Sequence, residues 1–189
     1  MSQSQNVFNL GQQLQFTASV SGGVSPYSYS WNFGDGTTST SNPATHTYSE
    51  TGIYTVKVTV TDAIGDTASA STTVTIQATP SLTLTVENVA TYNSNYYIVE
   101  GNTIGAVAVL SYEGTPLSGQ TIDFYANGTQ IGSATTDSSG RAEIGINTSS
   151  TGTVQIYATF AGTGGYNSAQ SNTVTVYVVA PLSVSVSVS

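Results

Sequence analysis

Apolar and polar residues alternate along most of this chain. The period is two over residues 54–61, 73–77, 81–86 and 173–178, a pattern typical of antiparallel strands with one buried and one exposed face. No window of helical length carries an apolar stripe at the i, i+3, i+4, i+7 spacing. Turn-forming Gly, Asn, Asp and Ser residues recur between the runs at intervals of roughly ten residues. The pattern therefore predicts an all-β protein built from antiparallel β-sandwiches.

The alternation also indicates a domain boundary. It stops at Gln77, and Pro80 cannot donate to the ladder of a central strand. A fresh alternating run starts directly after this proline. We therefore predict a first sandwich over residues 1–77, a linker over 78–80 and a second sandwich over 81–179.

The composition excludes several classes of protein. Among 189 residues there are 2 Lys or Arg, 10 Asp or Glu, one His and no Cys. Two cations cannot neutralise a row of phosphates, so we expect no nucleic-acid partner. Without Cys there is no disulfide framework, thiol nucleophile or Cys-ligated zinc. We therefore expect no catalytic residue, no cofactor and no metal site. No apolar run is long enough to span a membrane, and the first residues do not read as a signal peptide.

Four motifs in the first half occur in a specific order. They are Trp-Asn-Phe-Gly-Asp-Gly at 31–36, His-Thr-Tyr at 46–48, Gly-Ile-Tyr-Thr-Val at 52–56 and Val-Thr-Asp-Ala-Ile-Gly at 60–65. Together they resemble the PKD (polycystic kidney disease) domain over roughly residues 10–76. The resemblance implies an immunoglobulin-like (Ig-like) β-sandwich that serves as a spacer or binding module of extracellular proteins, and not an enzyme.

The second half carries the turn Thr-Asp-Ser-Ser-Gly-Arg-Ala at 136–142 and the run Tyr-Ala-Thr-Phe at 157–160. These motifs resemble bacterial-type Ig-like repeats of cell-surface adhesins, over residues 81–179. A PKD domain followed by such a repeat is similar to prokaryotic, including archaeal, cell-surface or filament proteins. The resemblance implies an extracellular or cell-surface location.

The last ten residues, 180–189, form a separate segment. After Pro181 the alternation places four aliphatic side chains on one face and serines on the other. The aliphatic residues are Leu182, Val184, Val186 and Val188. A lone amphipathic strand is not stable in water, so we expect this tail to pair with a partner.

Two explanations for the tail remain open. The PKD resemblance implies an opening strand, most of which is not evident ahead of residues 14–18. In one explanation the chain is a repeat unit, and the tail begins the next PKD-like domain. In the other, the tail of one filament subunit completes the first domain of its neighbour, as in donor-strand addition in pili.

Two functional hypotheses follow. The leading one is an extracellular structural protein, a subunit or repeat unit of a surface filament, stalk or surface layer, joined head to tail with copies of itself or adjacent repeats. The alternative is a non-catalytic glycan- or protein-binding accessory module of a secreted hydrolase or adhesin. Its candidate residues are Tyr92, Tyr96 and Tyr97, aromatic side chains in an Asn-rich stretch that are able to stack on sugars. We favour a loop whose tyrosines cap the sandwich.

The remaining candidates are polar side chains in motifs and turns. His46 belongs to the His-Thr-Tyr motif, so we expect a structural hydrogen bond rather than catalysis. Asp62 and Asp66 flank a turn; they are a candidate Ca²⁺ site, but capping of the turn by Asp62 explains them without a metal. Asn127 and Asn147 begin N-glycosylation sequons and are predicted modification sites.

Overall fold

The computed structural model describes residues 6–188 of the chain. Among these residues every regular element is a β-strand, so the predicted all-β class is confirmed. The described part of the chain contains no helix long and apolar enough to cross a membrane. Two compact units are present. The first comprises the residues up to Thr79 together with Thr163–Asn167, and the second Pro80–Gly162 with the residues from Ser168 onward. Thr163–Asn167 lie within the predicted second sandwich but group with the first unit. The bounds 1–77, 78–80 and 81–179 stay a prediction.

The first unit is a sandwich of a large and a small sheet. Its described strands are β1 (Val7–Asn9), β2 (Gln13–Phe16), β3 (Ser28–Asn32), β4 (Thr38–Ser39), β5 (Ala44–Thr47), β6 (Gly52–Thr61) and β7 (Thr67–Gln77). The large sheet has the order β1-β7-β6-β3-β4, and β2 pairs with β5 in the small sheet. Alternation along β6 directs successive side chains to opposite faces of the large sheet. Val56 and Val58 are buried, whereas the neighbouring Thr55 and Lys57 are exposed.

The core of the first unit consists of side chains from both sheets. They are Leu14, Trp31, Phe33, Ala44, Tyr48, Val56, Val58, Val74 and Ile76. Strand β7 contributes only its second half, since residues 67–73 are all exposed whereas Val74 and Ile76 are buried. One end of this sandwich is therefore open on the β7 side.

The second unit is also built from two main sheets. Its strands are β8 (Ser81–Glu87), β9 (Ala90–Tyr92), β10 (Asn95–Val99), β11 (Thr103–Tyr112), β12 (Thr115–Pro116), β13 (Thr121–Ala126), β14 (Thr129–Thr135), β15 (Arg141–Asn147), β16 (Gly152–Phe160), β17 (Ala169–Gln170) and β18 (Val174–Val179). One sheet has the order β14-β13-β16-β18-β10-β9, with β17 beside β16; the other has β12-β11-β15, with β8 beside β11. Ile104, Leu110, Ile122, Phe124 and Ile156 are fully buried.

In each unit one pair of the described strands departs from the predicted antiparallel pairing. Strand β1 runs parallel to β7, with Val7 opposite Thr75, and β10 runs parallel to β18, with Tyr97 opposite Tyr177. Strand direction cannot be read from alternation, because a period of two specifies only the face of each side chain.

The tail forms no strand in the described residues. Residues 180–188 are exposed, and the exposed fractions of Leu182, Val184, Val186 and Val188 are 95%, 83%, 88% and 97%. The pairing expected for this tail therefore stays a prediction. Residues 1–5 and 189 lie outside the described residues. The opening PKD strand is expected ahead of residues 14–18, so much of it falls on residues 1–5. Residues 7–9 of the same segment form β1.

Candidate functional site

The predicted histidine lies in a compact network beside the turn that follows β3. His46 Nε2 is 2.7 Å from Asp35 Oδ2, and Asp35 Oδ1 accepts hydrogen bonds from the backbone and hydroxyl of Thr37 at 3.0 and 2.6 Å. The imidazole stacks on Phe33 at a centroid distance of 4.3 Å and meets Tyr48 edge-on at 4.6 Å. Polar and aromatic partners therefore hold the ring in place, an arrangement typical of a structural histidine.

The same network sets the acidity of two groups. Partial desolvation acts to raise the pKa of Asp35, but the hydrogen bonds from Thr37 and His46 outweigh it, so the pKa lies below its ordinary value. Burial, reinforced by the negative charge of Asp35, raises the pKa of Tyr48 to about 12. The Tyr48 hydroxyl donates to the carbonyl of Phe33 at 2.9 Å. It is thus a neutral hydrogen-bond donor that fixes the turn.

Asp62 and Asp66, the candidate calcium residues, lie in a turn that is held by hydrogen bonds within the chain. Asp62 accepts hydrogen bonds from the backbone N–H groups of Val24, Ile64 and Asp66 at 2.9, 3.0 and 2.9 Å. These bonds lower the pKa of Asp62, and the bond from Val24 makes the largest contribution. The described residues contain no group of three His, Cys, Asp or Glu side chains placed to hold a metal ion. Capping accounts for the conformation of this turn.

The second unit repeats this device at the turn between β14 and β15. Asp137 Oδ1 accepts from the backbone and hydroxyl of Ser139 at 2.8 and 2.6 Å and from the backbone of Arg141 at 3.0 Å. The Ser139 hydroxyl is the main cause of the lowered pKa of Asp137. Both turns use a carboxylate to satisfy backbone donors, which explains why Asp recurs there in a chain with so few charges.

The two sequon asparagines differ in how their amide groups are used. Asn127 lies in the turn between β13 and β14; its Oδ1 accepts from the backbone of Gln155 at 2.9 Å and its Nδ2 donates to the carbonyl of Thr153 at 3.5 Å. Asn147 ends β15, and its Oδ1 accepts from the hydroxyl of Thr103 at 2.8 Å. Within the described residues its Nδ2, the atom that a glycan modifies, makes no hydrogen bond.

The candidate tyrosines do not share one face. The Asn-rich stretch forms the hairpin of β9 and β10 rather than the expected loop. Ile98 is buried, so alternation places Tyr96 on its side of the sheet and Tyr97 on the outer side. Tyr92 lies opposite Asn95 on the outer side and is 68% exposed, so it does not cap the core.

Sequence reasoning missed three further tyrosines on this outer side. Tyr97 stacks on Tyr177 of β18 at 5.4 Å, and Tyr125 of β13 stacks on Tyr157 of β16 at 4.7 Å. Each adjoins a buried residue, so their outward direction is readable from the sequence. Their proximity is not, because it depends on which strands are neighbours. We call the surface of Tyr97, Tyr125, Tyr157 and Tyr177 the tyrosine face.

Polar side chains separate the two stacked pairs. Tyr177 lies opposite Thr153 of β16, which is four residues from Tyr157, or about 13 Å along the strand. Gln155 and Thr175, opposite each other between the pairs, point the same way. Flat aromatic rings beside hydroxyl and amide groups are able to stack on a ligand and also to donate hydrogen bonds to it.

The geometry therefore describes two tandem Ig-like sandwiches. In the first, the network around His46 is built from residues of the motifs that resemble a PKD domain. Residues 1–77 match the family model of the PKD domain, which confirms the resemblance for this part of the chain. The match concerns the first unit, whose strands β3, β5 and β6 and the turns after them carry the four motifs.

Curated relatives match the chain over part of its length. Collagenase ColA of Bacillus cereus is 42% identical over 101 residues, or 50% of this chain and 10% of the collagenase. Microbial collagenase of Vibrio alginolyticus is 52% identical over 48 residues, or 25% of this chain and 6% of the collagenase. The chain thus spans a tenth or less of each relative. Among solved structures, the Clostridium thermocellum CbhA fibronectin(III)-like modules have a TM-score of 0.40 at 20% identity, covering 92% of this chain and 89% of theirs.

Proposed function

We propose that this chain is a non-catalytic, extracellular module that holds an extended polymer, a glycan or a fibrous protein, for a larger secreted or surface protein. The similarity of half the chain to Collagenase ColA supports a role as a module beside an enzyme rather than as the enzyme. The tyrosine face supports the binding role, and it is the observation that carries the proposal.

The chemistry of the tyrosine face limits the ligand. Four phenol rings offer flat apolar surface with hydroxyl groups at the edge, which suits sugar rings or the proline-rich backbone of a fibrous protein. The net charge of −8 repels acidic polymers. The ligand class is therefore a neutral or basic polymer bound by stacking and hydrogen bonds, and not by ion pairs.

A binding assay with matched tyrosine variants tests this proposal. The chain is sedimented with insoluble collagen or with insoluble neutral polysaccharide, and the bound fraction is measured. Tyr177→Ala and Tyr157→Ala are expected to weaken binding about tenfold each, the loss of roughly 1.4 kcal/mol of contact. Tyr96→Ala is the control, since Tyr96 lies in the same sheet but on the opposite side of β10. Equal binding by all three variants, or no binding to either polymer, would contradict the proposal.

A second candidate function is supported by a different observation. The four tail aliphatics are 83–97% exposed, which is unusual for contiguous apolar side chains on a soluble surface. Burying them against a partner strand or sheet contributes on the order of 6–12 kcal/mol gross, at about 1.5–3 kcal/mol each, from which the ordering of the tail subtracts. We propose on this basis that the chain is a structural unit joined head to tail by strand complementation.

Deletion of the tail tests the second candidate. The full chain is expected to form larger species as its concentration rises, whereas a chain without residues 181–189 is expected to sediment as a monomer. Identical sedimentation of the two would refute head-to-tail joining. The polymer-binding proposal is unaffected by this result, because the tyrosine face does not include the tail.

A further inference from the structure

An open groove crosses the first unit at the edge between its two sheets. Its volume is about 440 Å³. It is lined by Phe16–Ser21, which continue from β2, and by Trp31, Val56, Val58, Val60 and Ala68–Thr72 of the large sheet. We call it the edge groove.

The large-sheet wall of the edge groove is apolar but uncovered. Ala68 pairs with Val60 and Ala70 with Val58, so these alanines point to the same side as the core valines. Both alanines are nevertheless exposed. A side of a sandwich strand that faces the core is normally covered by the opposite sheet. Here the described chain provides no strand over it.

The other wall of the edge groove has free backbone groups. The N–H and C=O of Ala18 are both bound by the side chain of Asn42, at 2.9 and 2.8 Å. Because successive residues of an extended chain direct these groups to opposite edges, those of Thr17 and Ser19 point away from Asn42. Within residues 6–188 they make no hydrogen bond. This edge is thus an unpaired template for a further strand.

A third feature lies in the large-sheet wall of the same groove. Trp31 is 5% exposed, and its indole Nε1 is a buried donor with no hydrogen-bond partner among the described residues. A buried N–H group without a partner is destabilising, so this position of the groove wall is not fully satisfied in the described chain. The apolar wall and the free backbone edge both fit the same occupant, an extended strand with one apolar face.

We infer that the edge groove is the acceptor site for residues 181–188 of a second copy of this chain. This inference rests on the second candidate function and names its binding site. Paired with Thr17 and Ser19, the incoming strand would turn Leu182, Val184, Val186 and Val188 toward Trp31 and Ala70 and its serines toward solvent. The six residues of Phe16–Ser21 extend about 20 Å, and the eight residues of the tail are long enough to follow them.

Charge supports a second copy as the occupant. Copies of a chain with a net charge of −8 repel one another in general. The lining residues of the edge groove and residues 180–188 contain no charged side chain, so this contact brings no like charges together and carries no cost of desolvating a charge. Residues 1–5 of the same chain, Met-Ser-Gln-Ser-Gln, are a poorer match because they supply one apolar side chain against four.

The contact is heterologous, since tail and groove are different surfaces. A pair of copies therefore retains one free groove and one free tail, and association continues into an open filament unless it closes into a ring. This property allows a test in which each half of the contact is blocked in a different chain.

The experiment uses two variants of the full chain. The tail variant carries Val184→Asp and Val186→Asp, and the groove variant carries Ala70→Arg at an exposed position. Each alone is expected to sediment as a monomer, with association weakened more than about tenfold. Mixed in equal amounts, they are expected to form a 1:1 dimer that grows no further, because one intact tail then meets one intact groove. Ser185→Asp, on the polar face of the tail, is the control and is expected to associate like the unmodified chain.

Trp31 gives a second measurement that does not depend on assembly. It is the single tryptophan of the chain and lines the groove. A peptide of residues 180–189, added to the tail variant, is expected to shift the Trp31 emission and raise the melting temperature of the first unit. The groove variant is expected to show neither change, while unfolding cooperatively by circular dichroism.

The inference is overturned if the mixed variants stay monomeric and the peptide leaves Trp31 unchanged. It is also overturned if the peptide acts only after residues 1–5 are deleted, since those residues would then be the natural occupant. Copies could also associate through the tail with no change in Trp31 emission and no effect of Ala70→Arg. Strand complementation would then occur at another site, and the edge groove would not be the acceptor. Polymer binding in the same variants reports on the first proposed function separately.

Discussion

Asn42 holds Ala18 through both of its backbone groups, with Nδ2 donating to the Ala18 carbonyl at 2.8 Å and Oδ1 accepting from its N–H at 2.9 Å. The amide of Asn42 thereby replaces a neighbouring strand where the pairing of β2 with β5 has ended at Phe16 and Ala44. Ala18 lines the edge groove, so a single side chain holds part of one wall of that groove in place.

Removal of this side chain is expected to destabilise the first unit. Asn42→Ala leaves the partly buried N–H and C=O of Ala18 without partners, a cost of about 1–3 kcal/mol. Differential scanning calorimetry is expected to show a lower transition for the first unit and an unchanged one for the second. Ser41→Ala, at the neighbouring position, is the control. If Asn42→Ala also leaves binding of the tail peptide at full strength, the backbone of Ala18 does not need this support.

The two glycines of the β3 turn are expected to respond differently to alanine. Gly34 has φ +87° and Gly36 has φ +91°, so a side chain at either position is strained by about 1–2 kcal/mol. A Cβ at Gly34 would also lie 2.8 Å from the carbonyl oxygen of Thr55, whereas nothing lies within 4 Å of one at Gly36. We therefore expect Gly34→Ala to lower the unfolding free energy clearly more than Gly36→Ala, as measured by urea denaturation. Equal losses would show that the turn moves to relieve the contact.

Stability is expected to fall in acid through the capping carboxylates. Hydrogen bonds hold the pKa of Asp62 and of Asp137 below the ordinary value of 3.8. The largest contribution comes from the Val24 N–H for Asp62 and from the Ser139 hydroxyl for Asp137. A lowered pKa contributes stability that is present above the ordinary value and is lost as the pH falls through the folded-state value. Melting temperatures between pH 6 and pH 2 are expected to drop mainly below about pH 4.

Amide variants isolate this acid dependence. Asp137→Asn is expected to flatten the acid drop of the second unit, and Asp62→Asn that of the first. Glu100→Gln removes a carboxylate outside these turns and serves as the control. The reverse result, a drop that persists in both Asp variants, would assign acid sensitivity to other groups.

Glycosylation is expected to favour one sequon. The Nδ2 of Asn147 makes no hydrogen bond in the described residues, while that of Asn127 donates to Thr153 and its Oδ1 holds Gln155. In a host that modifies such sequons, mass spectrometry of peptides is expected to find higher occupancy at Asn147. Asn127→Ala is expected to destabilise the turn in an unglycosylated host as well, whereas Asn147→Ala loses only the contact with the Thr103 hydroxyl. Higher occupancy at Asn127 would contradict this ranking.

Much of the fold follows from local pattern. Alternation in β6, β8 and β18 identifies the buried valines and leucines of these strands. The motif residues predicted the PKD match because they build one local network, in which Asp35, His46 and Tyr48 act within a short stretch of chain. The candidate binding residues were less predictable. Tyr97 was found from its neighbours in sequence, but its partner Tyr177 lies eighty residues away on a strand parallel to it.

The sequence by itself determined the strand character of this protein, the face on which each side chain lies and the match of residues 1–77 to the PKD family model, because these depend on period-two patterning and on local turn chemistry. Only the tertiary structure decided which strands are neighbours. It paired Tyr125 with Tyr157, set β1 parallel to β7, and placed Phe16–Ser21 across the edge groove from Ala68–Thr72. These relationships join residues far apart in the chain, and alternation specifies a face but never a partner.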